Sequence, residues 1–217
     1  MGTLHLVRHG QTISNVMGRL DTRLPGAGLT DFGARQAVRF ALERPDATPA
    51  ALFSSQALRA QQTAGLIGSV WQLPVTTVPD LHEVQVGDLE DAHDPESVRA
   101  FRDLVNTWYT GDSAIAFAGG ESLDDLLSRY VPIIESLRMA HLDDPDSADI
   151  YVVSHGAAIR LAAAHLAEVD RDFAMANGLP NTGSIELAWR DGAWECVNWG
   201  GQVPAAKGRA TAVDPMG

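Results

Sequence analysis

Three stretches end an apolar run on side chains capable of chemistry: 6-LVRHGQTISN-15, 51-ALFSSQALRA-60 and 149-DIYVVSHGAAIR-160. The first sets Arg8 beside His9 ahead of Gly10, and the third sets His155 ahead of Gly156. The second runs through Ser54 and Ser55 and reaches Arg59 one turn later. Adjacent basic groups at the end of a buried strand cost free energy through desolvation and mutual repulsion, unless an anion compensates both. A glycine after each histidine lets a ligand approach the backbone, and a helix opening there presents unpaired N–H groups to an anion. The expected ligand is a phosphoryl group. Its charge spreads over three oxygens, for which Arg8 and Arg59 supply forked donors, His155 a further donor and Asn15 a neutral amide. Asn15 serves equally well as the cap of a short helix.

A neutral imidazole is a nucleophile and an imidazolium is not. The cations at Arg8 and Arg59 would keep His9 neutral, and a backbone carbonyl on one ring nitrogen would fix its tautomer. A phosphate ester also needs a proton on its leaving oxygen. Glu83, in 81-LHEVQVGDLE-90, is the candidate, as a partly desolvated acid able to serve both half-reactions, with Asp88, Glu90 and Asp91 as competitors.

Strand and helix patterns alternate between these sites, which calls for a mostly parallel sheet with helices on both faces. Strands are expected from Leu4 to Arg8, over 51–55, over 75–78 and over 149–154. Helices are expected from a Thr30 cap to Arg44, from Ser55 or Gln56 to Trp71, from Pro95 to Tyr109, from Glu121 to His141 and from Ala157 to Glu168. The run 184-SIELAWRDGAWECVNW-199 reads as a C-terminal hairpin about an Asp-Gly turn. Length and patterning give one α/β domain over 1–200, followed by a loosely held tail over 201–217 that is rich in Ala, Gly and Pro. Ligands of such sheets bind beyond the carboxyl ends of the strands, where the two His-Gly pairs fall.

Composition excludes several partners. The formal charge is −12 and the pI about 4.8, against nucleic-acid binding. No run approaches membrane-span length and no basic-then-apolar leader opens the chain, so a cytoplasmic location is expected. The lone Cys196 fits a reducing compartment, and no Cys/His spacing suits a metal. Oligomeric state stays open, a homodimer being one option. His5 reads as a strand-face residue, His82 as a loop residue, the hairpin tryptophans Trp189, Trp194 and Trp199 as packing, and 143-DDPDSAD-149 as a solvated turn.

With 119-GGES-122 added, the elements RHG, SSxxxRAxQTA, the Glu83 loop and VSHGAAIR come in an order that resembles the histidine phosphatase superfamily, in its phosphoglycerate-mutase-like branch. The resemblance implies a phosphohistidine mechanism on His9 with no metal and no organic cofactor, acting on a small phosphorylated metabolite. It also implies that Asn181 and Thr182 border the pocket. The loop after Glu83 departs from the family's pattern, reading 87-GDLED-91, and 84-VQVG-87 stands where the mutases resemble Arg-His-Tyr-Gly. Hydrolysis is therefore expected over mutase-type phosphoryl transfer, with non-catalytic binding of a phosphorylated ligand as the third reading. The segment 83–119 carries Glu83, Asp88, Glu90, Asp91, Asp94, Glu96, Asp103 and Asp112 against Arg99 and Arg102. That balance predicts a neutral or cationic alcohol as leaving group, unless both arginines turn inward to hold a carboxylate.

Overall fold

Alternation along the central strands sorts side chains onto two faces of one sheet, and each face carries its own core. Leu4, Leu6, Ile150 and Val152 point into a large cluster with α4, α5 and α6, whereas Val7, Leu52, Tyr151 and Val153 meet α2 and α3 on the other face. The computed structural model describes residues 2–204. Its elements are β1 (Thr3–Arg8), α1 (Ile13–Met17), α2 (Asp31–Leu42), β2 (Ala51–Ser54), α3 (Leu58–Trp71), β3 (Val75–Thr77) and α4 (Pro95–Thr110). There follow α5 (Leu123–His141), β4 (Ile150–Ser154), α6 (Gly156–Leu166), α7 (Arg171–Ala176), β5 (Ser184–Arg190) and β6 (Ala193–Trp199). The order across the sheet is β3-β2-β4-β1-β5-β6, parallel from β3 to β1, with β5 and β6 antiparallel.

The expected mostly parallel sheet, flanking helices and C-terminal hairpin are all present. Two helices escaped the sequence reading. α1 is a five-residue turn closed by a Thr12/Asn15 capping box and a left-handed Gly18, and α7 lies beyond the helix expected to end at Glu168, opened by the Asp170 cap. α3 begins at Leu58, later than expected, with Ala57 as a cap that has no side-chain bond, so Ser55 is left in the loop. The tail expectation from residue 205 onward lies outside the described residues. Gln202, just before it, pairs with Trp199. Among the described residues no helix is long and apolar enough to cross a membrane.

Register decides where the site falls. Arg8 pairs with Ser154, and the His9 N–H donates to the Ser154 carbonyl at 3.0 Å, so the two His-Gly ends lie side by side. β2 flanks them, its successor Ser55 donating its N–H to the Val153 carbonyl. The loop leaving His9 then runs hard against α2. A Cβ at Gly10 would lie 2.5 Å from the Gly33 carbonyl oxygen, and one at Gly33 would lie 2.1 Å from that of Gln11, so neither position admits a side chain without backbone movement.

The remaining distinctive side chains are mostly structural, as read. His5 stacks on Tyr151 with ring centroids 4.2 Å apart. Trp199 is fully buried, and Trp189 meets Trp194 edge to face. The acidic turn is less simply solvated than expected: Asp149 accepts the Thr3 N–H at 2.8 Å and lies 3.2 Å from the His5 ring.

Candidate active site

His9 is 4% exposed, and both of its ring nitrogens are engaged. Nδ1 lies 2.7 Å from the Gly10 carbonyl, an acceptor only, so Nδ1 carries the proton. Nε2 accepts from the Arg59 Nε–H at 3.2 Å, so its lone pair faces that guanidinium. Burial first, and then the charge of Arg59, push the His9 pKa well below its ordinary value; Arg8 adds a smaller push. The imidazole is therefore neutral at pH 7, its tautomer fixed by a backbone carbonyl as the sequence suggested.

Arg59, in the first turn of α3, is buried. Its Nη2 donates to the Asp21 carbonyl at 3.1 Å, and its Nη1 faces the Asp21 carboxylate at 3.9 Å without a hydrogen-bond partner. Asp21 is itself fixed by Ser14 Oγ at 2.8 Å and by the Ala27 N–H at 3.0 Å. Arg8 donates from Nη1 to the Leu179 carbonyl at 2.6 Å, and its Nε is buried and unpartnered. Its pKa is lowered, chiefly by burial. Gly156 makes room for it, since a Cβ there would lie 3.1 Å from Arg8 Nε.

Glu83 sits across the cavity on a loop held by Arg129, which donates to the carbonyls of Asp80, His82 and Glu83 and grips Glu121. It is half-buried, in keeping with the partial desolvation expected, but its carboxyl group is also held by three backbone donors. Oε1 accepts from the N–H groups of Ala158 at 2.8 Å and Val84 at 2.9 Å, and Oε2 from that of Ala157 at 3.0 Å. The carboxyl group thus caps the start of α6, beside His155.

The residues around the resulting cavity of about 150 Å³ include Arg8, His9, Asn15, Arg59 and Glu83 from the sequence reading. They also include Arg19, Asp21, Thr22 and Phe101, which that reading missed. Asn15 is not the cap of α1, which is Thr12, but completes the capping box from the third helical position. Its Oδ1 takes the Thr12 and Asn181 N–H groups at 3.1 Å each, which leaves its NH2 for the cavity. His155 is fully buried and lies behind His9 (ring centroids 5.3 Å apart), with Nε2 on Ser55 Oγ at 2.9 Å; it is not among the lining residues. Burial, and then Arg59, hold its pKa well below the ordinary value. Asn181 and Thr182 are half-buried and do not line the cavity; they are tied to the carbonyls of His9 and Arg8. Of the competitors to Glu83, Asp88 is exposed, and Glu90 is committed to Thr22 and the Arg23 N–H. A signal for Arg19 was present, because the Thr12-x-x-Asn15 box followed by Gly18 marks a short helix that delivers it. Nothing local marked Arg129, whose partners are distant in sequence; Ser55 stood out at its strand end, but its bond to His155 did not.

The acidic count over 83–119 does not describe the cavity wall. Asp94 caps α4 through Ser97, and Glu96, Asp103 and Asp112 are exposed, so of the eight acids only Glu83 lines the phosphate-sized cavity. Arg102 borders a larger neighbouring cavity and Arg99 does not. Among the described residues no group of three or more His, Cys, Asp or Glu side chains could hold a metal ion.

Known proteins are similar to this chain at moderate identity. The chain is 29% identical over 198 residues to a metal-independent phosphoserine phosphatase of Arabidopsis thaliana, covering 89% of this chain and 79% of that protein. It is 28% identical over 200 residues to a probable phosphoglycerate mutase of Yersinia pestis (strain Pestoides F), covering 90% and 89%. The structure of a mycobacterial glucosyl-3-phosphoglycerate phosphatase in complex with VO3 superposes with a TM-score of 0.79 at 27% identity, covering 93% of this chain and 100% of that one. A sequence model of the histidine phosphatase superfamily (branch 1) matches residues 4–202. That match runs through both His-Gly strand ends and everything between them, and the chain belongs to the histidine phosphatase superfamily, branch 1.

Proposed function

We propose that this protein is a phosphatase that hydrolyses a small phosphorylated metabolite through a phosphohistidine on His9. The observation that carries the reading is the neutral His9, with its proton on Nδ1 and its Nε2 lone pair at the phosphate-sized cavity. In the first step Nε2 bonds to phosphorus as the ester P–O bond breaks, and Glu83 gives its proton to the departing oxygen. In the second step water attacks phosphorus, Glu83 takes the water's proton, and the N–P bond breaks to restore His9.

Arriving phosphate replaces His9 as the acceptor of the Arg59 Nε–H. Asp21 holds the far edge of that guanidinium, so it pivots without leaving the site. Arg8, the Asn15 amide and the Gly156 end of α6 complete the cradle. His155 reaches a phosphoryl group on His9 by exchanging its bond to Ser55. Relatives named as a phosphoserine phosphatase and a glucosyl-3-phosphoglycerate phosphatase support hydrolysis of small metabolites. A buried Cys196, its thiol pushed up to about 12 by burial, is inert and suits a reducing cytoplasm.

The test is phosphate release from a panel of metabolite phosphates with His9→Ala as the blank, run beside a coupled 3-phosphoglycerate interconversion assay with and without 2,3-bisphosphoglycerate. Histidine-dependent release supports a phosphatase. Bisphosphate-dependent interconversion faster than hydrolysis identifies a mutase and overturns the proposal.

A further inference from the structure

A cavity of about 630 Å³ opens between α4, α6 and α7, beside the phosphate-sized one of about 150 Å³. Phe101 lines both. Ala157, whose N–H holds Glu83 Oε2, lines the larger. We propose that this cavity receives the alcohol half of the substrate, and that it selects an alcohol with an apolar body bearing one carboxylate, which Arg102 and Arg160 hold. The proposal rests on the phosphatase reading above and adds the substrate class to it.

Direction comes first. In-line attack from His9 sends the leaving oxygen away from Nε2 toward its proton donor. Glu83 lines the smaller cavity, and its Oε2 lies 3.0 Å from the N–H of Ala157, which lines the larger one. The other neighbouring cavity, of about 270 Å³, adjoins the site through Ser14, Arg19 and Asp21, and neither Glu83 nor Phe101 lines it.

Size and lining follow. The larger cavity falls within the range of about 300–1,000 Å³ typical of small-molecule sites, far more than a three-carbon alcohol fills. Val98, Phe101, Val105, Ala157 and Met175 give it apolar walls. A polyhydroxylated body would leave hydroxyl groups unpaired against them.

Charge sets the last feature. Asp172 on the rim is met by Arg171 at 3.5 Å. Arg102 and Arg160 form no ion pair among the described residues. Arg160 donates from Nη2 to the Ala174 carbonyl at 2.8 Å, and its Nε is buried with no partner. A buried, unpaired guanidinium donor beside a second free arginine calls for an acceptor that carries negative charge. On this proposal the leaving group carries a carboxylate, in place of the neutral or cationic one that the acid count led us to expect.

Three aryl phosphates whose side chains are insulated from the phenol by methylene groups test this: 4-(2-carboxyethyl)phenyl phosphate, its methyl ester and 4-(2-aminoethyl)phenyl phosphate. Wild-type kcat/KM for the acid should exceed that for the methyl ester by about tenfold, and for the amine by more, as expected for a charge-assisted hydrogen bond. Arg160→Met should lower the acid-to-ester ratio by about tenfold. Arg102→Glu alters an exposed α4 residue and should shift preference toward the amine, a gain that misfolding cannot mimic. Equal kcat/KM for the three esters, an unchanged preference in Arg102→Glu, or phosphoserine turned over faster than the carboxylated aryl ester would each overturn the proposal. So would turnover of p-nitrophenyl phosphate with none of the three. Inactivity toward p-nitrophenyl phosphate and every other ester would instead refute the phosphatase reading itself.

Discussion

Replacing Glu83 by Gln separates its two tasks, because the geometry fixes what the amide keeps and what it loses. The amide oxygen can stay on the Val84 and Ala158 N–H groups, but the NH2 then faces the Ala157 N–H that Oε2 now accepts at 3.0 Å. One backbone bond is lost and one donor left unpaired, a cost of about 1–3 kcal/mol. At about 2–4 °C of melting temperature per kcal/mol for a chain of this size, the variant stays folded at 25 °C but melts earlier. Its chemical defect depends on the leaving group. An alkyl phosphate needs the proton, and kcat/KM should fall by about 10²–10⁴-fold. p-Nitrophenyl phosphate scarcely needs it, and the loss should stay within about tenfold. The assay is phosphate release from both esters by wild type and variant at one pH. Equal losses would refute the assignment; the other acids nearby are otherwise placed, Asp21 being held by Ser14, Ala27 and Arg59, Asp88 exposed, and Glu90 tied to Thr22 and Arg23.

Acid should unfold the protein early. His9 and His155 are both held neutral in the fold, so below about pH 6.5 the unfolded chain binds two more protons and stability falls as pH falls. Between pH 7 and 5.5 the two groups together lower stability by at most a few kcal/mol, on the order of one per group. Urea unfolding at the two pH values measures this, and equal or greater stability at pH 5.5 would contradict it. Gly156→Ala should separate activity from stability. The added Cβ presses on Arg8 Nε at 3.1 Å and Cδ at 3.3 Å, whereas alanine suits the first turn of α6. kcat/KM should drop by about tenfold, as for the loss of one charge-assisted hydrogen bond, with the melting temperature unchanged or raised; full activity would show that Arg8 is not held so closely.

Much of this site was legible because its parts are local. Arg8-His9-Gly10 and His155-Gly156 announce themselves as polar ends of apolar strands, and strand alternation fixes both cores. What stayed hidden depends on pairings across many residues. Asp21 matters through Arg59, and Arg129 through the carbonyls of the Glu83 loop. Neither shows a local pattern. Glu83 was found, but the donors that hold its carboxyl group were not, because two of the three come from α6, more than seventy positions along the chain. The acid count over 83–119 misled for a related reason: composition does not say which way a side chain faces, and α4 turns its acids outward while Arg102 borders the cavity. α7 was missed because six residues are too few to display a helical period.

The central claim is that the phosphoryl group passes through His9. Rapid quenching during the first turnover of a good ester, followed by mass spectrometry of the peptides under alkaline conditions, tests it most directly. The expected result is an acid-labile, base-stable phosphate on the peptide containing His9, absent from His9→Ala. Phosphate on any other residue, or release of inorganic phosphate in the first turnover with no phosphate ever on the protein, would contradict the account.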